Sequence, residues 1–145
     1  MKAAVSATSR YLPKQIMTNH DLEKMVDTSD DWIQSRTGIV ERRVVSEGET
    51  TSDMCTHIAY ELLKRSETEP DEIDVIIVAT VTPDMPTPAT ASIVQNRIKA
   101  NNAWGFDLSG ACTGFIYAVD TGSRLIESGK YKKVMVIGVD TMSSV

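Results

Sequence analysis

Two runs of apolar and β-branched residues, Val75-Ile76-Ile77-Val78-Ala79-Thr80 and Val134-Met135-Val136-Ile137-Gly138-Val139, set the narrowest limits on the fold. Neither run alternates with polar residues, and a strand without a polar face is expected to be buried on both sides. Such a strand needs helices above and below its sheet, and the intervening sequence supplies them. Thr51 to Ser66 carries Met54, Ile58 and Leu62 at helical spacing, with Cys55, Ala59 and Leu63 beside them. Glu69-Pro70-Asp71 breaks that helix, Pro83, Pro86 and Pro88 mark a loop, and Ala89 to Ile98 predicts a second helix. Ala103 to Leu108 predicts a strand, and Gly114 to Ser128 a third helix with Gly129 where a cap glycine belongs. Strands alternating with helices place the chain in the α/β class, with a mostly parallel sheet.

The region before Thr51 is less regular. Ala3 to Thr8 predicts a short first strand. Thr18 to Met25 predicts a short helix with Asn19 as its cap, and Ser29-Asp30-Asp31-Trp32-Ile33 opens another that closes near Thr37-Gly38. Glu41 to Val45 reads as a strand or an extended loop. No internal repeat or long linker divides residues 1–145, which are read as a single α/β domain. The sequence stops at Val145, just after a buried strand, and a doubly wound sheet ending there is expected to lack flanking elements.

Charge narrows the partners. Lys and Arg number 15 against 20 Asp and Glu, a formal net charge of −5, which attracts neither nucleic acid nor an anionic membrane. No uncharged stretch is longer than Leu108 to Val119, which falls well short of the ~20 apolar residues that span a bilayer. The first ten residues lack the apolar run of a secretory signal, so Cys55 and Cys112 are expected to be reduced thiols in a cytoplasmic protein. Two cysteines and two histidines at unsuitable spacings predict no metal site.

Chemistry concentrates in Asp107-Leu108-Ser109-Gly110-Ala111-Cys112-Thr113-Gly114-Phe115. Small residues carry a strand into a helix through a sharp turn, with a cysteine at the turn. The unpaired N–H groups of a helix start favour a thiolate and can also bind an oxyanion forming on a thioester carbonyl. The competing reading makes Cys112 a small filler buried between sheet and helix.

Two segments carry a resemblance. Asp27-Thr28-Ser29-Asp30-Asp31-Trp32-Ile33-Gln34-Ser35-Arg36-Thr37-Gly38-Ile39-Val40-Glu41-Arg42 and Gly110-Ala111-Cys112-Thr113-Gly114-Phe115 resemble the signatures of the β-ketoacyl-acyl carrier protein synthase III family, and the spacing between them also fits. The resemblance implies a thiolase-like fold, of which this chain matches the amino-terminal half: layered helices around a mostly parallel mixed sheet. It implies an acyltransferase that starts fatty-acid synthesis, with Cys112 taking an acyl group from acyl-CoA before condensation with malonyl-acyl carrier protein. Trp32 would then stack on the adenine of coenzyme A, Arg36 and Thr28 would contact its nucleotide end, and Thr37 would lie nearby. An indole face suits a purine and a guanidinium suits phosphate, although Trp32 also reads as core and Arg36 as a solvated charge.

The same resemblance implies a homodimer in which Thr82-Pro83-Asp84-Met85-Pro86-Thr87-Pro88 crosses to shape the partner's acyl pocket. Thr87 stands where some members carry a bulky Phe, so a larger primer fits unless Met85 refills the space. The coenzyme A thioester is substrate, and no cofactor is expected. The family's histidine and asparagine for condensation come from its carboxy-terminal half, and neither His20 nor His57 matches them. The 145-residue chain alone is therefore expected not to condense acyl groups. Other readings are a non-catalytic module that dimerises or binds coenzyme A or a carrier protein, and another condensing enzyme of the thiolase superfamily.

Overall fold

A computed structural model describes residues 2–144. The chain divides into two compact units. One comprises Thr50–Met142 with the amino-terminal residues to Tyr11, and the other Leu12–Glu49 with the last residues from Ser143.

The larger unit is a three-stranded parallel sheet of β3 (Val75–Ala79), β4 (Trp104–Leu108) and β5 (Val134–Gly138), in the order β4-β3-β5. Register runs Val75↔Trp104 to Ala79↔Leu108 on one side and Val75↔Val134 to Ala79↔Gly138 on the other. The central strand is buried at all five positions, as its continuous apolar run requires. On one face α3 (Thr51–Arg65) and α4 (Thr90–Ile98) pack over Ile76, Val78, Met135 and Ile137. On the other, α5 (Gly114–Glu127) covers Val75, Ile77 and Ala79 through Ala118 and Leu125. Gly122 lets α5 approach the sheet: a Cβ there would stand 3.2 Å from both Val134 Cγ1 and Val136 Cγ2.

Three local readings in the larger unit need correction. Ala3 to Thr8 forms no strand among the described residues. An exposed segment can leave its backbone to water and side chains, and this one is held by Arg65 Nη1 donating to Thr8 O, with Tyr11 just beyond it stacking on His57. The run at β5 is buried only at Met135 and Ile137, which face α3 and α4, while Val134 and Val136 on the α5 face are half-buried. The buried row of α3 is Cys55-Ala59-Leu63, joined by Met54, while Ile58 and Leu62 are only half-buried. Small side chains at 55 and 59 let that row sit closest to the sheet.

In the smaller unit, β1 (Gln15–Thr18) pairs antiparallel with β2 (Glu41–Val44), and α1 (Asn19–Glu23) and α2 (Asp30–Thr37) lie between them in sequence. Thr18, and not Asn19, caps α1. Its hydroxyl accepts from Asp21 N and donates to the Asp21 carboxylate, which also receives the Thr18 amide; the hydroxyl first and the amide second hold the Asp21 carboxyl far below its ordinary range. Ser29 caps α2 through Trp32 N at 3.2 Å, and Gly38, at φ 71°, ends it in the left-handed conformation that glycine adopts most readily.

Candidate active site

The carboxyl ends of three parallel strands lie on one side of the larger unit, at Ala79, Leu108 and Gly138. In open α/β sheets this edge is where ligands bind. Cys112 stands there. β4 ends at Leu108, a single 3₁₀ turn covers Ala111–Thr113, and α5 begins at Gly114. Both Thr113 N and Thr113 Oγ1 donate to Gly110 O, at 3.2 and 2.9 Å, closing the turn. Ala111 takes φ 45°, a left-handed conformation that a residue with a Cβ adopts only when its surroundings impose it. A Cβ on Gly110 would lie 2.8 Å from Gly114 Cα and 3.1 Å from Tyr117 Cδ2, so the turn closes this tightly only with glycine.

Cys112 emerges exposed, one turn ahead of a fourteen-residue helix. The filler reading does not hold for it. Cys55 is the filler: it is 0% exposed, and burial pushes its thiol up to about 12, with the carboxylates of Asp107 and Asp84 adding to the effect. Next to Cys112, Phe115 lies against Gly138, where a Cβ would come within 2.9 Å of the ring.

Capping from outside the helices fixes this edge. Ala89 offers α4 no capping side chain, and the Asp107 carboxylate on β4 accepts from Thr90 N and Ala91 N at 2.6 and 2.8 Å. Asp84 accepts from Ser52 N and Ser52 Oγ at 2.9 and 2.5 Å, tying the Thr82–Pro88 loop to the start of α3. Asp140, just past β5, receives Thr80 Oγ1, Val81 N and Thr82 Oγ1 at 3.0, 2.8 and 3.1 Å. These aspartates escaped the sequence reading, although the uncapped Ala89 signals that a cap must come from elsewhere. Met85 and Thr87 are both exposed on the loop that Asp84 anchors.

In the smaller unit, Thr28 and Trp32 line an open depression of about 320 Å³ with Asp27 and Ser29. Trp32 is 55% exposed while its neighbour Ile33 is buried, so Ile33 and not the indole anchors α2. The Arg36 guanidinium carbon lies 5.6 Å from the centre of the Trp32 ring, a cation–π pairing one helical turn along. Thr37 takes no part in the depression. Its hydroxyl donates to Ile33 O and accepts from Ile39 N, at 2.7 and 3.1 Å. Of the two histidines, His20 pairs with Glu23 at 3.0 Å, which raises its pKa, and His57 stacks on Tyr11 with ring centres 5.0 Å apart.

The comparisons with known proteins agree with this arrangement. A family described as 3-Oxoacyl-[acyl-carrier-protein (ACP)] synthase III matches residues 106–145, the segment that contains the Cys112 turn. A β-ketoacyl-[acyl-carrier-protein] synthase III from Chlorobium phaeobacteroides is 58% identical over 100% of this chain and 44% of its own length. Over its whole length the chain is similar to β-ketoacyl-[acyl-carrier-protein] synthases III. It spans about 44% of the length of the curated relatives it matches. A 3-oxoacyl-[acyl-carrier-protein] synthase III of Aquifex aeolicus superposes with a TM-score of 0.93 at 50% identity, over 96% of this chain and 45% of that one. The priming β-ketosynthase of the R1128 polyketide pathway reaches 0.94 at 33% identity, over 97% of this chain and 42% of that one. The fold is therefore thiolase-like, mixed α/β with a parallel sheet, as the family resemblance implies.

Proposed function

We propose that this chain carries the acyl-accepting cysteine and a nucleotide-binding segment of a β-ketoacyl-acyl carrier protein synthase III. In the first half-reaction the Cys112 thiolate attacks the thioester carbonyl of an acyl-CoA. A new Sγ–C bond forms, the bond to the coenzyme A sulfur breaks, and the coenzyme leaves as a thiol carrying the proton lost by Cys112. The acyl group is then joined to malonyl-acyl carrier protein with loss of carbon dioxide. Trp32 offers its face to adenine, Arg36 offers charge to the phosphates, and Thr28 offers a hydroxyl beside them. Met85 and Thr87 shape an acyl pocket in a homodimer, and the small Thr87 side chain favours wider or branched primers. Condensation needs residues beyond this chain, which alone performs at most the transfer.

The observation that carries this reading is the exposure of Cys112 on a turn that only glycine at position 110 and a left-handed residue at 111 permit. A filler cysteine does not require such a turn. The synthase III reading leads over a polyketide-priming one because the relatives of that name reach 58% identity, against 33% for the priming ketosynthase.

Incubation with acetyl-CoA followed by peptide mass spectrometry tests the proposal. One acetyl group on Cys112, none on Cys55 and none in a Cys112→Ser chain is the expected result. Acyl-CoA binding with an unmodified Cys112 would instead favour the non-catalytic module.

A further inference from the structure

α2 carries Trp32 and Arg36, yet it buries only Ile33. One buried side chain on an eight-residue helix does little to fix its rotation, so something else must hold the platform. Asn19 does so from outside the helix. It is 1% exposed, and both its N–H groups and its carbonyl are engaged. Nδ2 donates to Asp30 Oδ1, in the first residue of α2, and to Ile39 O, just past the Gly38 that ends α2, each at 2.7 Å. Oδ1 accepts from Arg42 Nη2 at 2.7 Å, and Arg42 Nη1 also donates to Met17 O at 3.3 Å, which fixes Asn19 to the β1–β2 ribbon. The Asn19 amide adds a bond to Val40 O at 3.3 Å. One amide side chain therefore grips both ends of the helix that bears the indole, and ties them to a paired sheet.

We propose that Asn19 is a positioning residue, holding α2 so that the Trp32–Arg36 pair stands ready for the nucleotide end of coenzyme A. The proposal rests on the coenzyme reading of that pair. Without the grip, the platform spends part of its time in orientations that do not bind, and affinity falls by the lost fraction. Asn19 makes no contact with the depression lined by Asp27, Thr28, Ser29 and Trp32, so its effect is transmitted through Asp30 and Ile39.

The test uses the 145-residue chain with Trp104→Phe, which leaves Trp32 as the one indole. Fluorescence anisotropy decay reports how firmly Trp32 is held, and titration with coenzyme A reports binding. For Asn19→Ala we expect a new fast component in the decay and coenzyme A affinity about tenfold weaker, the scale of one charge-assisted hydrogen bond. Alkylation of Cys112 by iodoacetamide should not change. Asp30→Ala, which removes one bond of the grip, should act in the same direction, and Asp30→Asn, which still accepts from Asn19, should restore the parent behaviour. This pair decides the matter if Asn19→Ala fails to fold. A decay and an affinity unchanged by Asn19→Ala and Asp30→Ala overturn the proposal. If the parent chain does not bind coenzyme A, the coenzyme reading of α2 falls, and the decay alone then settles whether Asn19 holds the helix.

Discussion

Replacing Gly110 with alanine perturbs the turn that presents Cys112. The new Cβ would lie 2.8 Å from Gly114 Cα, 3.1 Å from Tyr117 Cδ2 and 3.2 Å from Gly114 N. Ordinary contact begins near 3.4 Å, so the backbone must open by about 0.6 Å. Tyr117 can swing aside, being exposed, but Gly114 cannot, since it is buried with Ala79 and Leu108 beside it. The strain therefore falls on the Ala111–Thr113 turn, where Ala111 already holds φ 45°. Forcing a methyl group into a closed backbone contact costs about 1–3 kcal/mol. For a chain near 150 residues this lowers the melting temperature by roughly 3–10 °C. Thermal unfolding measures the strain, and the rate of iodoacetamide alkylation at Cys112 measures the displaced thiol, which should react severalfold more slowly. A Gly110→Ala chain with unchanged melting and unchanged alkylation would show that the tight closure is not what presents the cysteine.

Other expectations follow from the buried and capping groups. The Cys55 thiol is raised by burial from 9.0 to about 12 in the folded chain, so its contribution to stability is complete below pH 9.0 and is lost as pH rises towards 12. Between those values stability should fall by about 1.4 kcal/mol per pH unit through this group, and Cys55→Ala should flatten that limb in denaturant titrations at pH 9 to 11. An equal alkaline slope in Cys55→Ala would assign the loss elsewhere. Asp84→Ala removes both bonds to Ser52 and should cost about 1 kcal/mol, as a lost helix cap does. Limited proteolysis should then cut sooner within residues 82–88, and unaltered cutting would mean that Asp84 does not anchor the loop.

The parallel core was legible because β3 announces itself: five consecutive apolar residues, four of them β-branched and bounded by turn signals, fit a strand covered on both faces. β5 shows the limit of that rule. Its sequence is as apolar as that of β3, but its α5 face is covered less fully than its α3 and α4 face, and composition within a strand does not encode what packs over it. The Cys112 turn was legible because glycine and other small residues are local determinants of backbone shape, and a turn is made locally. The caps of α4 and the grip on α2 were not. Asp107 lies 16 and 17 positions from the amides it receives, and Asn19 lies 11 and 20 positions from its partners on α2's two sides. Asn19 was read as a cap because asparagine before an acidic turn often is one. Thr18 instead completes the capping box with Asp21, which frees the Asn19 amide for long-range bonds.

Transfer and condensation ask for different groups, and this separates what the chain can do alone. Transfer needs a nucleophile that a thioester can reach, and the free thiol of Cys112 is exposed. Condensation generates an enolate as carbon dioxide leaves, and its charge must be met by hydrogen-bond donors in place beforehand. The two histidines are the obvious candidates, and both have other occupations. His57 is on α3, one ring face covered by Tyr11 at an interplanar angle of 8°. His20 faces Glu23, whose carboxylate favours the charged imidazole and consumes one ring nitrogen. His20→Ala, His57→Ala and the double variant should therefore leave acetylation of Cys112 within about twofold of the parent, a difference under half a kcal/mol. None of them, nor the parent, should release carbon dioxide from malonyl-acyl carrier protein. Decarboxylation by the parent that disappears in His57→Ala would place an enolate-stabilising donor on α3, and condensation would then need less from outside the chain than the two half-reactions imply.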